Sequence, residues 1–288
     1  MMRSKKLVLY ILLICVLSGC GGKATAFTSV TAKTPGSETS TLNVWCFQAG
    51  KADAFLFWNE TGAVLIDTGE SGFGKTILEK LAELDIKSLD YLLITHFDKD
   101  HVGGAKKLLS GIPVGTVLQS NSPKEGAEAY EKYLAALESC GLEPVTVRQT
   151  MSFSLGETVF TVNPPEKDSY PQDESNNSSL IVTVSHGNHR LLFCGDAEDL
   201  RTEEFLETKP GRFDFVKLPH HGKYQKTLRE LLNETRPDYA LITSSEEEPE
   251  EPETMELLSE FSVEALLTRN GPIQIICTAD GLTAKIAR

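Results

Sequence analysis

Apolar residues in this chain gather into short runs parted by polar turns, and the period of each run predicts its element. Leu7 to Leu17 is an unbroken apolar stretch behind Arg3, Lys5 and Lys6, a basic lead and apolar segment laid out as in a signal peptide and too short to span a bilayer. Strands are expected near Asn43 to Phe47, Ala54 to Trp58 and Val64 to Ile66, then a helix from about Phe73 to Leu84. Tyr91-Leu92-Leu93-Ile94-Thr95 is apolar without alternation, which suits a strand covered on both faces. After Gly104, Ala105, Leu108 and Leu109 recur at helical spacing. Next come a strand near Val114 to Gln119, a helix from about Glu125 to Cys140, and strands near Val145 to Arg148 and Glu157 to Val162. Strands Ser179 to Ser185 and Arg190 to Cys194 flank His186-Gly187-Asn188-His189, a two-residue hairpin signal. The remainder alternates: strands Phe213 to Leu218 and Tyr239 to Thr243, helices Lys226 to Asn233 and Glu253 to Glu260, and strands Ala265 to Thr268, Ile273 to Cys277 and Thr283 to Ile286. The pattern describes one layered α/β domain.

Composition refines this picture at the start of the chain. Leu17-Ser18-Gly19-Cys20 resembles the lipobox of bacterial lipoproteins, which implies a signal peptide over 1–19 and lipidation of Cys20. Residues 20–40 are rich in Gly, Ser, Thr, Ala and Lys and cannot feed a core, so they read as a tether, leaving 41–288 as the folded domain. The expected location is the extracytoplasmic face of a bacterial membrane, reached through the lipid anchor. Net charge is −13, and −16 once the three basic signal-peptide residues are removed, which argues against tight, nonspecific binding of duplex nucleic acid. The Glu-rich segment from Glu246 to Glu253 reads as a solvated loop. Cys46, Cys140, Cys194 and Cys277 are widely spaced without a C-x-x-C, so buried free thiols are expected.

Candidate chemistry concentrates at strand ends. His96, Asp98, Asp100 and His101 place four ligand types within six residues, and in a locally extended turn His96, Asp98 and Asp100 would face one way with His101 turned to another. Such spacing suits two neighbouring metals. Asp67 ends one apolar strand in Leu65-Ile66-Asp67-Thr68-Gly69, Asp196 another, and His220-His221 a third.

The T-H-x-D-x-D-H-x-G-G stretch from Thr95 to Gly104 resembles the H-x-H-x-D-H signature of the metallo-β-lactamase superfamily, with Asp98 where most members carry a second histidine. In that respect it is similar to the hydrolase domains of competence protein ComEC, and the likeness runs from about Leu42 to Arg288. The resemblance implies a four-layer αββα sandwich in a single domain. It also implies Asp67 as a support for the ligand loop, Asp196 as a bridging ligand, and a ligand from the third motif where this chain has no histidine. The hairpin register pairs His186 with His189 and so sets Ser179 opposite Asp196, and Asn176-Asn177-Ser178-Ser179-Leu180 resembles the ComEC N-x-x-S-L stretch. Asn176 or Ser179 could therefore ligate through oxygen, bind phosphate, or order the loop. His189 lies about 23 Å of strand from Asp196, so both turn histidines are expected at the surface. The His220-His221 pair also resembles that of bacterial phosphorylcholine esterases, which implies His221 as ligand and His220 as the group touching a substrate phosphate.

Together these imply two divalent ions, zinc or manganese. One would be held by His96, Asp98 and Asp196, the other by Asp100, His101, Asp196 and His221, with Asp100 and His220 as catalytic candidates. The anionic ligand set tilts preference towards manganese. The implied activity is hydrolysis of a small phosphodiester or other ester. A ComEC-like nuclease acting on DNA, with nucleic acid a less favoured partner, and a non-catalytic binding lipoprotein are the alternatives, and no protein partner is implied.

Overall fold

Alternation in Leu42-Asn43-Val44-Trp45-Cys46 buries Leu42, Val44 and Cys46 while Asn43 and Trp45 stay half-buried, so this strand has one face to the interior of the protein. The computed structural model describes residues 40–287, and the signal-peptide, lipidation and tether expectations, Cys20 included, lie outside them apart from Ser40. A first sheet starts with β1 (Leu42–Cys46), β2 (Phe55–Asn59), β3 (Gly62–Ile66), β4 (Leu89–Ile94), β5 (Val114–Gln119) and β6 (Val145–Thr146). Its helices are α1 (Gly74–Glu83), α2 (Lys99–Val102), α3 (Ala105–Leu109) and α4 (Glu128–Cys140). A second sheet takes β7 (Met151–Leu155), β8 (Thr158–Asn163), β9 (Ile181–His186), β10 (His189–Phe193), β11 (Phe215–Lys217), β12 (Tyr239–Ile242) and β13 (Glu264–Leu267). With it go α5 (Glu174–Asn177), α6 (Asp199–Glu207), α7 (Leu228–Thr235) and α8 (Pro252–Glu260). Finally β14 (Ile273–Thr278) and β15 (Gly281–Ile286) return to the first sheet, where β14 pairs antiparallel with β1.

The strand orders are β15-β14-β1-β2-β3-β4-β5-β6 and β13-β12-β11-β10-β9-β8-β7. Between the sheets, Phe57 meets Phe160 and Phe193 at ring centroid distances of 5.2 and 5.0 Å within a shared apolar core. Each such fully buried side chain contributes about 1.5–3 kcal/mol. Outside the first sheet, Leu65 and Leu92 pack with Ile77, Leu108 and Tyr133; outside the second, Leu192 and Val216 pack with Phe205, Leu231 and Leu258. This is the expected αββα sandwich.

Parallel pairing then places the site. β3, β4 and β5 run parallel, as do β10, β11, β12 and β13. The residues just past β3, β4, β10, β11 and β12 therefore leave on matching rims of the two sheets.

The structure departs from the sequence reading in several places. The strand expected over Val145 to Arg148 shortens to two residues, and α4 starts at Glu128 because Gly126, at φ 77°, still belongs to the preceding turn. Strand β7 and helix α6 were not expected from the sequence. Met151-Ser152-Phe153-Ser154-Leu155 does alternate, but α6 hides its period because its inner face carries Arg201, Thr202 and Glu204 beside Phe205 and Leu206. Cys46, Cys194 and Cys277 are buried free thiols, whereas Cys140 is exposed at the end of α4, where the helix face turns to solvent. The Glu-rich loop is solvated except at Glu250, which accepts from Ser244 Oγ at 2.7 Å and lies 2.9 Å from Arg269 Nε.

Candidate metal centre

The ligand turn after β4 is not extended. Asp98 alone is, at φ −70° and ψ 149°, and Lys99 to Val102 close one helical turn, so Asp98 and Asp100 diverge instead of sharing a face. That turn lies tight against the loop after β3: Thr68 N and Oγ1 both donate to the His101 carbonyl, at 2.7 and 2.8 Å. A Cβ on Gly104 would meet the Thr68 carbonyl oxygen at 2.2 Å, so only glycine fits there. On the other rim, His220 and His221 both hold left-handed backbone, φ 44° and 53°, which costs about 1–2 kcal/mol each and turns both rings towards Asp196.

Four ligand atoms converge. His101 Nε2 lies 3.2 Å from Asp196 Oδ1, and His221 Nε2 lies 3.1 Å from Asp196 Oδ2 and 3.3 Å from Asp100 Oδ2. Asp100, His101, Asp196 and His221 each present a ligand atom within 4.8 Å of the others. His96 Nε2 stands 4.0 Å from Asp196 Oδ2 and 3.8 Å from Asp98 Oδ1, and His220 Nε2 3.9 Å from Asp196 Oδ2.

The opposite edge of each ring is tied down. His101 Nδ1 donates to Asp67 Oδ2 at 2.8 Å, and Asp67 also accepts from Thr95 N and Oγ1 at 2.8 and 2.7 Å, so this aspartate fixes both the loop and the ring. His221 Nδ1 donates to Thr243 Oγ1 at 2.7 Å, and Thr243 in turn donates to Asp53 Oδ1 at 2.8 Å. His96 Nδ1 lies 3.2 Å from Thr95 Oγ1 and 3.4 Å from Ser179 Oγ. These contacts assign the proton to Nδ1 and leave Nε2 facing the centre, the arrangement of metal-ligating imidazoles. The fit to a cation is direct: His96 Nε2, His101 Nε2, His221 Nε2 and Asp196 Oδ1 are buried without hydrogen-bond partners. Buried polar atoms are otherwise almost always paired.

Electrostatics point the same way. Burial disfavours charge on His101 and His221, yet Asp196, with Asp67 at the first and Asp53 at the second, outweighs it. Without an ion the first ring is held well above the usual histidine range and the second at about 10. Burial likewise opposes ionisation of Asp196, but His101, His221 and Lys217 keep its carboxyl well below the usual range. Burial and the neighbouring His101 push His96 down to about 3, so its ring is neutral.

Asn176 is half-buried and gives its carbonyl to Ser179 N at 3.0 Å. Ser179 Oγ accepts from Asp196 N at 3.1 Å, so the side chain buttresses Asp196 and the Nδ1 edge of His96. The hairpin register is the expected one, with His189 opposite His186 and Arg190 opposite Ser185. His186, however, is buried, not at the surface, with Nδ1 2.9 Å from Thr158 Oγ1 and Nε2 2.8 Å from the Ser40 carbonyl. The neighbouring strand β8 and the segment before β1 cover it. His189 is only partly exposed, 3.5 Å from Asp214.

Several groups at the site were not found from sequence. Asp53 and Lys217 form a buried ion pair at 2.5 Å beneath the centre, and Lys217 Nζ also lies 3.5 Å from Asp196 Oδ1 and donates to the Gly195 carbonyl at 2.9 Å. Glu198 accepts from His220 Nδ1 and from Lys223 Nζ. Lys124 Nζ donates to Asp98 Oδ1 at 2.6 Å, and Ser175 Oγ donates to the same oxygen. Buried Arg201 pins the loop carrying Ser179, donating from Nε to the Ser179 carbonyl at 3.1 Å. A cleft of about 530 Å³, lined by Phe97, Asp98, Lys99, Asp100, Lys124 and Lys132 among others, opens beside Asp98 and Asp100.

Comparison with known proteins shows the family of the chain. The family model described as the metallo-beta-lactamase superfamily matches residues 48–244. The chain is 30% identical over 246 residues to ComE operon protein 3 of Bacillus subtilis, covering 75% of this chain and 30% of that protein. It is 29% identical over 213 residues to Recombination protein 2 of Haemophilus influenzae, covering 73% and 25%. The chain thus spans less than a third of the length of these relatives. Among solved structures, the metallo-beta-lactamase fold protein YhfI from Bacillus subtilis superposes with a TM-score of 0.53 at 12% identity, over 86% of this chain and 100% of that one. CmlA, a diiron beta-hydroxylase from Streptomyces venezuelae, gives 0.51 at 16% identity over 85% and 55%. These two likenesses concern the fold.

Proposed function

Because the chain belongs to the metallo-beta-lactamase superfamily, we propose that it is a metal-dependent hydrolase whose substrate is a phosphodiester. The observation that carries the reading is the set of unpartnered Nε2 and carboxylate atoms around Asp196, with His220 at its open side. The chemistry a divalent cation would supply when bound to Asp100, His101, Asp196 and His221 is a water of lowered pKa and compensation for charge growing on phosphoryl oxygens. His220 is one-fifth exposed, oriented by Glu198, and positioned to hydrogen-bond a substrate oxygen through Nε2. His96, neutral and oriented by Thr95, offers a second Nε2 towards the same space. Manganese is the ion we expect, because two of the four ligands are hard carboxylates, with zinc the competitor.

A nucleic-acid phosphodiester is the second reading. It is supported by the names of the relatives, a recombination protein and a ComE operon protein, and by Lys99, Lys124 and Lys132 along the cleft. The acidic balance of −13 favours a smaller diester. Lipidation at Cys20, a tether over 20–40, a domain over 41–288 and an extracytoplasmic, membrane-anchored location complete the proposal.

The test is hydrolysis of a bis-aryl phosphodiester, a β-lactam and single-stranded DNA by the protein loaded with manganese or zinc, with Asp196→Ala as blank. Diester turnover that vanishes in the variant supports the assignment, and turnover of DNA alone moves it to the nuclease. No turnover of any substrate with either ion refutes both and leaves a binding protein.

A further inference from the structure

The ligand sets for two ions are unequal. Asp100, His101, Asp196 and His221 bring their ligand atoms within 4.8 Å of one another. Among the described residues, His96, Asp98 and Asp196 do not close into such a set, although His96 Nε2 is 3.8 Å from Asp98 and 4.0 Å from Asp196. The cause is Asp98. Its backbone is extended ahead of the helical turn, and Oδ1, the oxygen nearest His96, receives two donors. Lys124, from the loop between β5 and α4, reaches it at 2.6 Å, and Ser175, on the first turn of α5, donates to the same atom. A carboxylate oxygen holding an ammonium and a hydroxyl has little left for a dication, and the ammonium also repels one.

We propose that this centre is built for one divalent ion, on Asp100, His101, Asp196 and His221, and that Lys124 holds the Asp98 carboxylate that a second ion would need. The inference rests on the metal-centre reading above and concerns how many ions bind. Lys124 supplies a fixed single charge at the mouth of the cleft, and His96 Nε2 stays available to a water or a substrate hydroxyl. The two roles that histidine and aspartate share in a two-ion centre are thereby divided between an ion and a side chain.

Ion binding by the full chain tests this directly, with manganese and zinc titrated calorimetrically and retained ions counted by native mass spectrometry. The wild type is expected to retain one equivalent after dialysis and to take a second at least about tenfold more weakly. Lys124→Met, at a side chain 40% exposed, removes no core packing and is expected to tighten the second equivalent by about tenfold, while Lys124→Arg behaves as wild type. Two equivalents of equal affinity in the wild type, or an unchanged second affinity in Lys124→Met, overturn the inference and leave the metal centre standing. No retained ion in the wild type overturns both.

Discussion

Replacing Lys217 by methionine should destabilise the ion-free protein more than any exposed charge change could. Lys217 and Asp53 are both 0% exposed and 2.5 Å apart, so solvent screening gives no discount, and removing one partner of such a pair costs about 3–5 kcal/mol. Methionine keeps most of the side-chain volume, so the loss is electrostatic and not a cavity effect. Two carboxylates, Asp53 and Asp196, are left short of a cation, as is the Gly195 carbonyl of a donor. For a domain of this size about 2–4 °C accompanies each kcal/mol, so the melting midpoint should fall by about 6–20 °C. Urea unfolding of ion-free and ion-loaded protein is the assay. The loaded form should lose less, because a dication at Asp196 replaces part of the missing charge. In the Lys217→Met, Asp53→Asn double variant, much of the stability should return, because one of the two carboxylates left short of a cation is then neutral. A single-variant loss under about 1 kcal/mol, the range of surface pairs, would refute the reasoning, as would simple additivity in the double variant.

Three further outcomes follow from the same geometry. In the ion-free protein His221 is raised from 6.5 to about 10, so its stabilising contribution is complete below about pH 6.5 and is lost as pH rises towards 10. Asp100 is lowered from 3.8 to about 2, and its contribution holds above about pH 4 and is lost as pH falls towards 2. The urea midpoint should therefore be highest between those limits, while ion affinity, which requires ring protons to leave, should rise with pH; a flat affinity profile would contradict the assignment of His101 and His221. Glu198→Gln should lower diester turnover about 10–100-fold with ion content unchanged, since it loosens His220 without touching the ligand cluster; equal turnover would remove His220 orientation from the mechanism.

What sequence could reveal divides by locality. His96, Asp100, His101, Asp196 and His221 follow apolar strands within a few residues, so strand direction alone gathers them on one rim. The Gly187-Asn188 turn fixed the register that sets Ser179 beside Asp196, and the hydroxyl does accept from that residue's N–H. Asp53, between Ala52 and Ala54, had no such spacing, and its partners Lys217 and Thr243 come from the other sheet. A signal for Lys217 existed all the same: a lysine inside Phe213 to Leu218 must find a carboxylate if the run is buried. Lys124 lies in a loop and Ser175 on the short helix α5, their meeting at Asp98 depends on tertiary packing, and no local period announces it.

The hydroxyl that orients His221 belongs to Thr243, and its bond to Asp53 joins residues 190 positions apart. The Asp53–Lys217 pair and the β11–β12 ladder shorten the loop this bond must close, but the first of them is itself long-range, so the centre is among the non-local features of folding. During synthesis, a chain that has reached β11 already contains Asp100, His101 and Asp196 but not the group that sets the His221 tautomer. A chain cut before Thr243 would carry all four ligands of the cluster yet lack the hydroxyl that holds the His221 ring.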